Sequence, residues 1–233
     1  MHRFFVKQKI NNSFVLDKDL IHHLKVARLF NEEFLVNFET QFYRCCYNKN
    51  TNFADIIEKL NINNEYQNDL VLAAPIIKGE RFEWMIEKAT ELGVKTIIPM
   101  TSQFCNFKYV ELNFKNEKKY LRYNTKIQQA AQQSFRNIIP TITEVNSLRE
   151  IVVEYLKRNY NIYIAYESLG FEHQINTIKT NSLILVGPEG GLSEDEFNWI
   201  KSLKSNQIYL VSLGKRILRA ESAAISMLAL VKE

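Results

Sequence analysis

The sequence predicts an α/β protein whose larger part is a parallel sheet with helices between its strands, preceded by a small β-rich domain. Two observations carry this prediction. Beyond residue 69, apolar strand-like runs alternate with helix-like stretches, the rhythm of a β-α-β chain. Four of the seven glycines also fall in two late blocks, Leu183-Ile-Leu-Val-Gly-Pro-Glu-Gly-Gly-Leu192 and Leu210-Val-Ser-Leu-Gly-Lys-Arg-Ile-Leu-Arg-Ala-Glu-Ser-Ala-Ala224. Each block reads as an apolar strand that stops at a glycine and gives way to a helix. Glycine allows a turn at positive φ or a close backbone approach, so gathering the few glycines at two strand ends points to a pocket there.

The elements follow in chain order. In the first 60 residues, the alternation of Phe34, Val36 and Phe38 predicts small strands, while Leu20 to Leu29 fits either a helix or a strand pair. The polar, weakly patterned stretch Asn61 to Asn68 reads as a linker or hairpin tip and sets the domain boundary. After it come a strand over Leu70 to Ile77, a helix over Glu80 to Leu92, a strand over Lys95 to Pro99, a long helix from about Asn116 to Phe135 and a strand over Asn161 to Ala165. In the first of these helices Phe82, Met85, Ile86 and Ala89 form a core stripe, with Glu83, Glu87, Lys88 and Glu91 facing away. Trp84 lies off the stripe, either meeting another domain or subunit or sitting partly buried in the core.

The glycine blocks resolve further. Leu183 to Val186 is a continuous apolar run, as in a strand covered on both faces of a parallel sheet. Gly187-Pro188 ends it, Glu189-Gly190-Gly191 forms a loop with little side-chain bulk, and Ser193 with Glu196 matches a capping box that starts a helix. In the second block Ile208 to Leu213 is a strand, Gly214 to Leu218 a loop and Arg219 to Val231 an alanine-rich helix. Both loops belong at the carboxyl edge of one sheet, where open α/β sheets bind ligands. Taken alone, a Gly-Pro-Glu-Gly-Gly loop is equally an ordinary turn. Dinucleotide and nucleoside-triphosphate fingerprints are absent, so a nucleoside held without phosphates suits the loop better.

Composition sets the outer bounds. A chain of 233 residues buries a substantial core in one or two domains, and 46% hydrophobic with 24% charged residues is the make-up of a globular protein. The N-terminus lacks a signal peptide's apolar core and no stretch reaches the length of a membrane span, so the cytoplasm is the expected location. Three cysteines, Cys45 and Cys46 adjacent, make neither a disulfide framework nor a metal-ligand spacing and read as reduced thiols. Residues 1–69 hold nine basic and nine acidic side chains, so the formal charge of +4 lies wholly beyond them. Lys108, Lys115, Lys118, Lys119, Arg122, Lys126 and Arg136 face only Glu111 and Glu117, with Tyr109, Phe114, Tyr120, Tyr123 and Phe135 interleaved. Two readings stand: basic groups on RNA phosphates with aromatics on unpaired bases, or a solvated helix face with core aromatics.

Gly187-Pro-Glu-Gly-Gly-Leu-Ser193 followed by Leu213-Gly-Lys-Arg-Ile-Leu-Arg-Ala-Glu-Ser-Ala-Ala224 resembles the signature pair of the RsmE family, SPOUT-class methyltransferases that modify 16S ribosomal RNA. Lys78-Gly-Glu-Arg-Phe-Glu-Trp-Met-Ile-Glu-Lys-Ala-Thr-Glu-Leu-Gly-Val94 is similar to that family's helix after the first catalytic-domain strand. Gln132-Gln-Ser-Phe-Arg136 is similar to its Glu-Gln-Ser-Gly-Arg stretch, and Met1-His-Arg-Phe-Phe5 to its start, so the resemblance runs nearly end to end. It implies a PUA-like β-barrel RNA-binding domain over residues 1–68 and a SPOUT methyltransferase domain over 69–233, with the C-terminal segment threaded through a trefoil knot. A homodimer is implied as well.

The implied reaction transfers a methyl group from S-adenosylmethionine to N3 of a uridine in 16S ribosomal RNA on the assembled small subunit, with no metal. The implied cofactor pocket comprises Leu185, Gly187, Glu189, Gly190 and Gly191 from the first loop, and Leu213, Gly214, Ile217, Leu218 and Ala223 from the second block. Arg219 or Arg136 is expected to orient a phosphate or stabilise the uridine N3 anion, since a guanidinium stays charged at any working pH. Glu221 is either the proton acceptor or a carboxylate pairing with helix N-terminal amides or Arg219. Two departures from the family stand out. Phe135 replaces a glycine, expected to narrow the substrate approach, and Ser102-Gln-Phe-Cys105 replaces Ser-Glu-Arg-Ser, a lost arginine expected either to weaken RNA contact or to shift it to Lys108. The competing readings are a SPOUT enzyme acting on another RNA such as transfer RNA, and a noncatalytic RNA-binding protein. Retention of every loop glycine argues against the last.

Overall fold

Alternating apolar side chains build a six-stranded mixed sheet in the first of two units, Met1–Glu65 with Ala131–Ile138 in the computed structural model. The structure describes residues 1–167 and 169–233, with Phe171 as backbone alone. Strands β1 (Arg3–Phe5), β2 (Lys9–Ile10), β3 (Ser13–Val15), β4 (Glu33–Phe38), β5 (Gln41–Asn48) and β6 (Phe53–Leu60) lie in the order β1-β4-β5-β6-β3-β2. Phe14, Phe34 and Val36 are fully buried at its core. The open choice at Leu20 to Leu29 resolves to a helix, α1 (Lys18–Val26), because the Asp17 carboxylate accepts from Leu20 N at 2.8 Å and caps it.

The segment Ala131–Ile138 is fastened into this unit by side-chain amides. Asn137 Nδ2 donates to Thr40 O and Ile62 O, both at 2.8 Å, while its Oδ1 accepts from Asn64 N at 2.9 Å. The last residues of the long helix ending at Gln133 therefore belong to this unit.

The second unit, Tyr66–Ala130 with Ile139–Glu233, is a parallel sheet covered on both faces. Its elements are β7 (Leu70–Pro75), α2 (Gly79–Glu91), β8 (Thr96–Thr101), α3 (Phe107–Phe114), α4 (Glu117–Gln133), β9 (Thr141–Ile142), β10 (Asn146–Ser147), α5 (Leu148–Lys157), β11 (Asn161–Ala165), β12 (Ile178–Lys179), β13 (Ser182–Leu185), α6 (Glu194–Ser202), β14 (Ile208–Val211), α7 (Ala220–Leu228) and β15 (Val231–Lys232). The strands run β10-β8-β7-β13-β11-β14, with β9 beside β8. Alternation along β7 feeds two cores: Leu70, Leu72 and Ala74 pack with α2 and α7, Val71 and Ala73 with α5 and α6. That double burial explains the continuous apolar runs.

Strand order reverses at β7, since β8 and β10 lie on one side of it and β13, β11 and β14 on the other. After β14 at the edge, the chain returns across residues 212–219 and packs α7 against α2. This is the return in which the resemblance implies the knot. The last helix stops at Leu228, short of the predicted Val231, because Val231 and Lys232 pair with Ile178 and Lys179. Helix α5 escaped the sequence reading although Ser147 and Glu150 form a full capping box. Among the described residues no helix is long and apolar enough to cross a membrane.

Candidate functional site

Three neighbouring strands end together. Leu185 of β13 is level with Ile164 of β11, and Ala165 of β11 with Val211 of β14, so their carboxyl ends open at one edge beside the strand-order reversal. A cavity lies there, partly open to solvent, in the position where open α/β sheets hold small molecules. Residues following each of the three strands wall it, and Ala223 of α7 closes one side.

Local chemistry shapes both loops. Gly191 N donates to Pro188 O at 2.8 Å and closes a turn. A Cβ on Gly187 would stand 2.8 Å from the Gly191 carbonyl carbon, so the loop folds back on itself only with glycine at 187. Glu196 N donates to Ser193 Oγ at 3.1 Å and Ser193 N to Glu196 Oε2 at 3.0 Å, the capping box read from the sequence. The second loop turns at Gly214 with φ of +99°, a conformation that L side chains rarely adopt.

Six residues of the implied cofactor set line this cavity: Gly187, Gly191, Leu213, Gly214, Leu218 and Ala223. Four do not. Leu185 is fully buried inside the sheet, Ile217 is 88% exposed, Glu189 turns to Arg81, and Gly190 backs onto Phe104, whose Cβ would lie 2.9 Å from a side chain there. The sequence reading missed the third wall, Ala165, Tyr166 and Glu167. Its signal was present, because a strand predicted over Asn161 to Ala165 must end at the same sheet edge. Tyr166 is held by stacking on Phe197, ring centroids 4.0 Å apart.

Arg219 and Glu221 line a second, more open cavity with Glu80, Arg81, Trp84 and Ser222. Glu221 is 6% exposed, and its Oε2 has no hydrogen-bond donor. Arg81 Nη1 stands 3.7 Å from that oxygen, while Arg81 Nη2 donates to Glu189 Oε1 at 2.8 Å. Trp84 is 44% exposed, a half-open indole on the cavity wall. Arg136 belongs elsewhere: it is buried in the first unit, with Nε and Nη2 both on the Glu65 carboxylate. Phe135 shares that unit, its ring edge-to-face with Phe42, and does not line either cavity.

Part of the basic stretch is spent on ion pairs. Arg122 Nη2 lies 2.7 Å from Glu83, which is buried and does not face away as its helical position suggested; Lys126 pairs with Glu87 at 3.5 Å and Lys115 with Glu111 at 3.3 Å. Tyr123 is fully buried and Phe114 and Tyr120 pack against the same core, so those aromatics are scaffold. Lys108 and Lys118 are exposed and have no ion-pair partner among the described residues. Burial pushes the Cys105 thiol up, against a backbone hydrogen bond from Ser102, which makes it a poor nucleophile. Among the described residues no group of three His, Cys, Asp or Glu stands together as metal ligands would.

The first cavity offers loop backbone groups, the aliphatic Leu213, Leu218 and Ala223, the Glu167 carboxylate and the Arg216 guanidinium. Such a lining suits an adenine ring and a ribose diol. The parallel sheet and both cavities lie within residues 64–232, which match the family model described as an RNA methyltransferase domain. The chain belongs to the ribosomal RNA small subunit methyltransferase E family.

It is 37% identical to the ribosomal RNA small subunit methyltransferase E of Mesomycoplasma hyopneumoniae strain 232, over 98% of this chain and 97% of that one. The Bacillus subtilis strain 168 protein of the same name is 30% identical, over 99% and 96%. The crystal structure of a ribosomal RNA small subunit methyltransferase E from Neisseria gonorrhoeae bound to S-adenosyl methionine matches with a TM-score of 0.80 at 25% identity, over 98% and 95%. The second unit has the SPOUT-type parallel-sheet fold, and the first is a small mixed-sheet domain ahead of it.

Proposed function

We propose that this chain transfers a methyl group from S-adenosylmethionine to N3 of a uridine in 16S ribosomal RNA, acting on the assembled small subunit in the cytoplasm. The observation that carries the reading is the glycine-walled cavity at the carboxyl ends of β11, β13 and β14, in a family whose Neisseria gonorrhoeae member is bound to S-adenosyl methionine. Gly187, Gly191 and Gly214 let the backbone close around the cofactor, Leu213, Leu218 and Ala223 cover its ring, and Glu167 meets the ribose hydroxyls. Leu185, Glu189 and Gly190 support this lining from behind. The cofactor supplies a methyl group already made electrophilic by its sulfonium, so the protein's work is alignment and removal of the imide proton.

Arg219 and Glu221 carry the second task, as cation and proton acceptor beside the cofactor cradle. Arg136 holds the fold of the first unit. That unit, read as a PUA-like RNA-binding domain, and the exposed Lys108 and Lys118 grip the ribosomal RNA. Ile217, exposed two residues ahead of Arg219, supports a homodimer in which a second copy covers it.

The test is to incubate the purified protein and labelled S-adenosylmethionine with small subunits from a strain lacking its own enzyme, then identify the product nucleoside by mass spectrometry. The expected product is 3-methyluridine. No transfer despite measurable cofactor binding would redirect the reading to another RNA, and no cofactor binding would leave a noncatalytic RNA-binding protein.

A further inference from the structure

We infer that the second cavity is a nucleobase subsite that reads the imide edge of uracil, with Arg81, Glu221 and Arg219 as the reading groups and Trp84 as the stacking wall. The inference rests on the proposed methyl-transfer reading and adds the residues that choose the base. Uracil presents a carbonyl, an N3–H and a second carbonyl in a row, that is, acceptor, donor, acceptor. The cavity holds the complementary groups, since the Glu221 carboxylate, an acceptor, and the Arg81 and Arg219 guanidinium groups, donors, line the same space.

Three observations carry it. Glu221 is 6% exposed, yet its Oε2 receives no hydrogen bond. Leaving a buried carboxylate oxygen without a donor is costly, so a native protein keeps one where a ligand supplies the missing N–H. The Arg81 guanidinium is held in place by Glu189 at 2.8 Å and reaches only to 3.7 Å from Glu221, too long for a hydrogen bond, which leaves that oxygen available. Trp84 is 44% exposed on the wall of the cavity, a flat face of the kind on which unpaired bases stack.

The cavity also adjoins the cofactor cradle through the first turn of α7, where Glu221 and Ser222 face this space and Ala223 faces the other. Glu221 takes the N3 proton as the N3 electron pair bonds to the methyl carbon, the carbon–sulfur bond leaves its pair on a neutral thioether, and the proton passes from Glu221 to solvent. Cytosine has a lone pair at N3 and would set it against the carboxylate, so it is refused. The product has a methyl group where the N–H was, so it is expelled.

The experiment has two arms on the full-length protein. In the first, Trp fluorescence is titrated with single-stranded oligonucleotides that carry one uridine, one cytidine or one 3-methyluridine in an otherwise identical sequence. Uridine is expected to quench at least about tenfold more tightly than either alternative, and Glu221→Gln to erase the difference. In the second arm, methyl transfer to small subunits is followed with cofactor affinity by calorimetry. Glu221→Gln is expected to lower kcat about 100-fold or more, and Trp84→Phe to hold kcat better than Trp84→Ala, both with cofactor Kd nearly unchanged. Arg81→Lys should retain more discrimination than Arg81→Met. Equal or absent quenching by uridine and cytidine overturns the subsite, as does Glu221→Gln with unchanged kcat. Uridine-selective quenching without transfer to small subunits keeps the subsite and overturns the ribosomal reading instead.

Discussion

Arg136 Nη2 lies 2.7 Å from Glu65 Oε2, and both side chains are buried within the first unit. Glu65 also accepts from Arg136 Nε at 2.9 Å and from Asn137 N at 2.7 Å, so one carboxylate gathers the donors of a whole turn. Removing one partner of a buried, hydrogen-bonded pair strands the other charge, at a cost of about 3–5 kcal/mol. Glu65→Gln and Arg136→Met should each destabilise the first unit by about that much in denaturant melts, and the double variant should cost less than their sum. Loss below about 1 kcal/mol for either single variant would return Arg136 to the candidates for direct catalysis.

Phe135 has a φ of +62°, a left-handed conformation that glycine adopts without strain and phenylalanine does not. Its ring repays the strain by packing on Phe42 at 4.8 Å and under the Arg3 guanidinium at 4.7 Å. Phe135→Ala keeps the strain and loses the ring, whereas Phe135→Gly loses both. The glycine variant should therefore be more stable than the alanine variant by about 1 kcal/mol, the reverse of the order in ordinary chain positions. Comparative urea melts of the two variants check this directly.

Tyr123 is fully buried and its hydroxyl has no hydrogen-bond partner, an unpaid desolvation inside the second unit. Burial, with the nearby Glu83 charge, pushes the phenol up to about 12 from its ordinary 10. The folded state thus favours the neutral phenol. Its contribution is complete below pH 10 and is lost as pH rises from 10 through 12. Tyr123→Phe should raise stability by about 1 kcal/mol at neutral pH and decline less steeply above pH 10. A variant less stable than the parent at pH 7 would mean that the hydroxyl is satisfied after all.

Most of the second unit was legible because both faces of its sheet are covered. Continuous apolar strands, the stripe of α2 and the Ser193 capping box each have a local signature. The two glycine loops were legible for the same reason, since glycine is required where backbone meets backbone at Gly187. What stayed hidden depends on partners distant in sequence. Nothing near Arg136 announces Glu65, which lies 71 residues away, and nothing near Glu83 announces Arg122 and Lys126. Arg81 has no local signature of a role, because its link to Glu189 and Glu221 arises only where α2, the first loop and α7 converge.

The glycine-walled cavity as the S-adenosylmethionine site is tested most directly by calorimetric titration of the full-length protein and of Gly187→Ala with the cofactor. A methyl group at 187 would meet the Gly191 carbonyl carbon at 2.8 Å, so the loop must open and deform the cradle. The expected result is saturable binding by the parent protein and a loss of at least about 100-fold in the variant, with its melting transition retained. Equal affinity in the two proteins would place the cofactor somewhere other than this cavity.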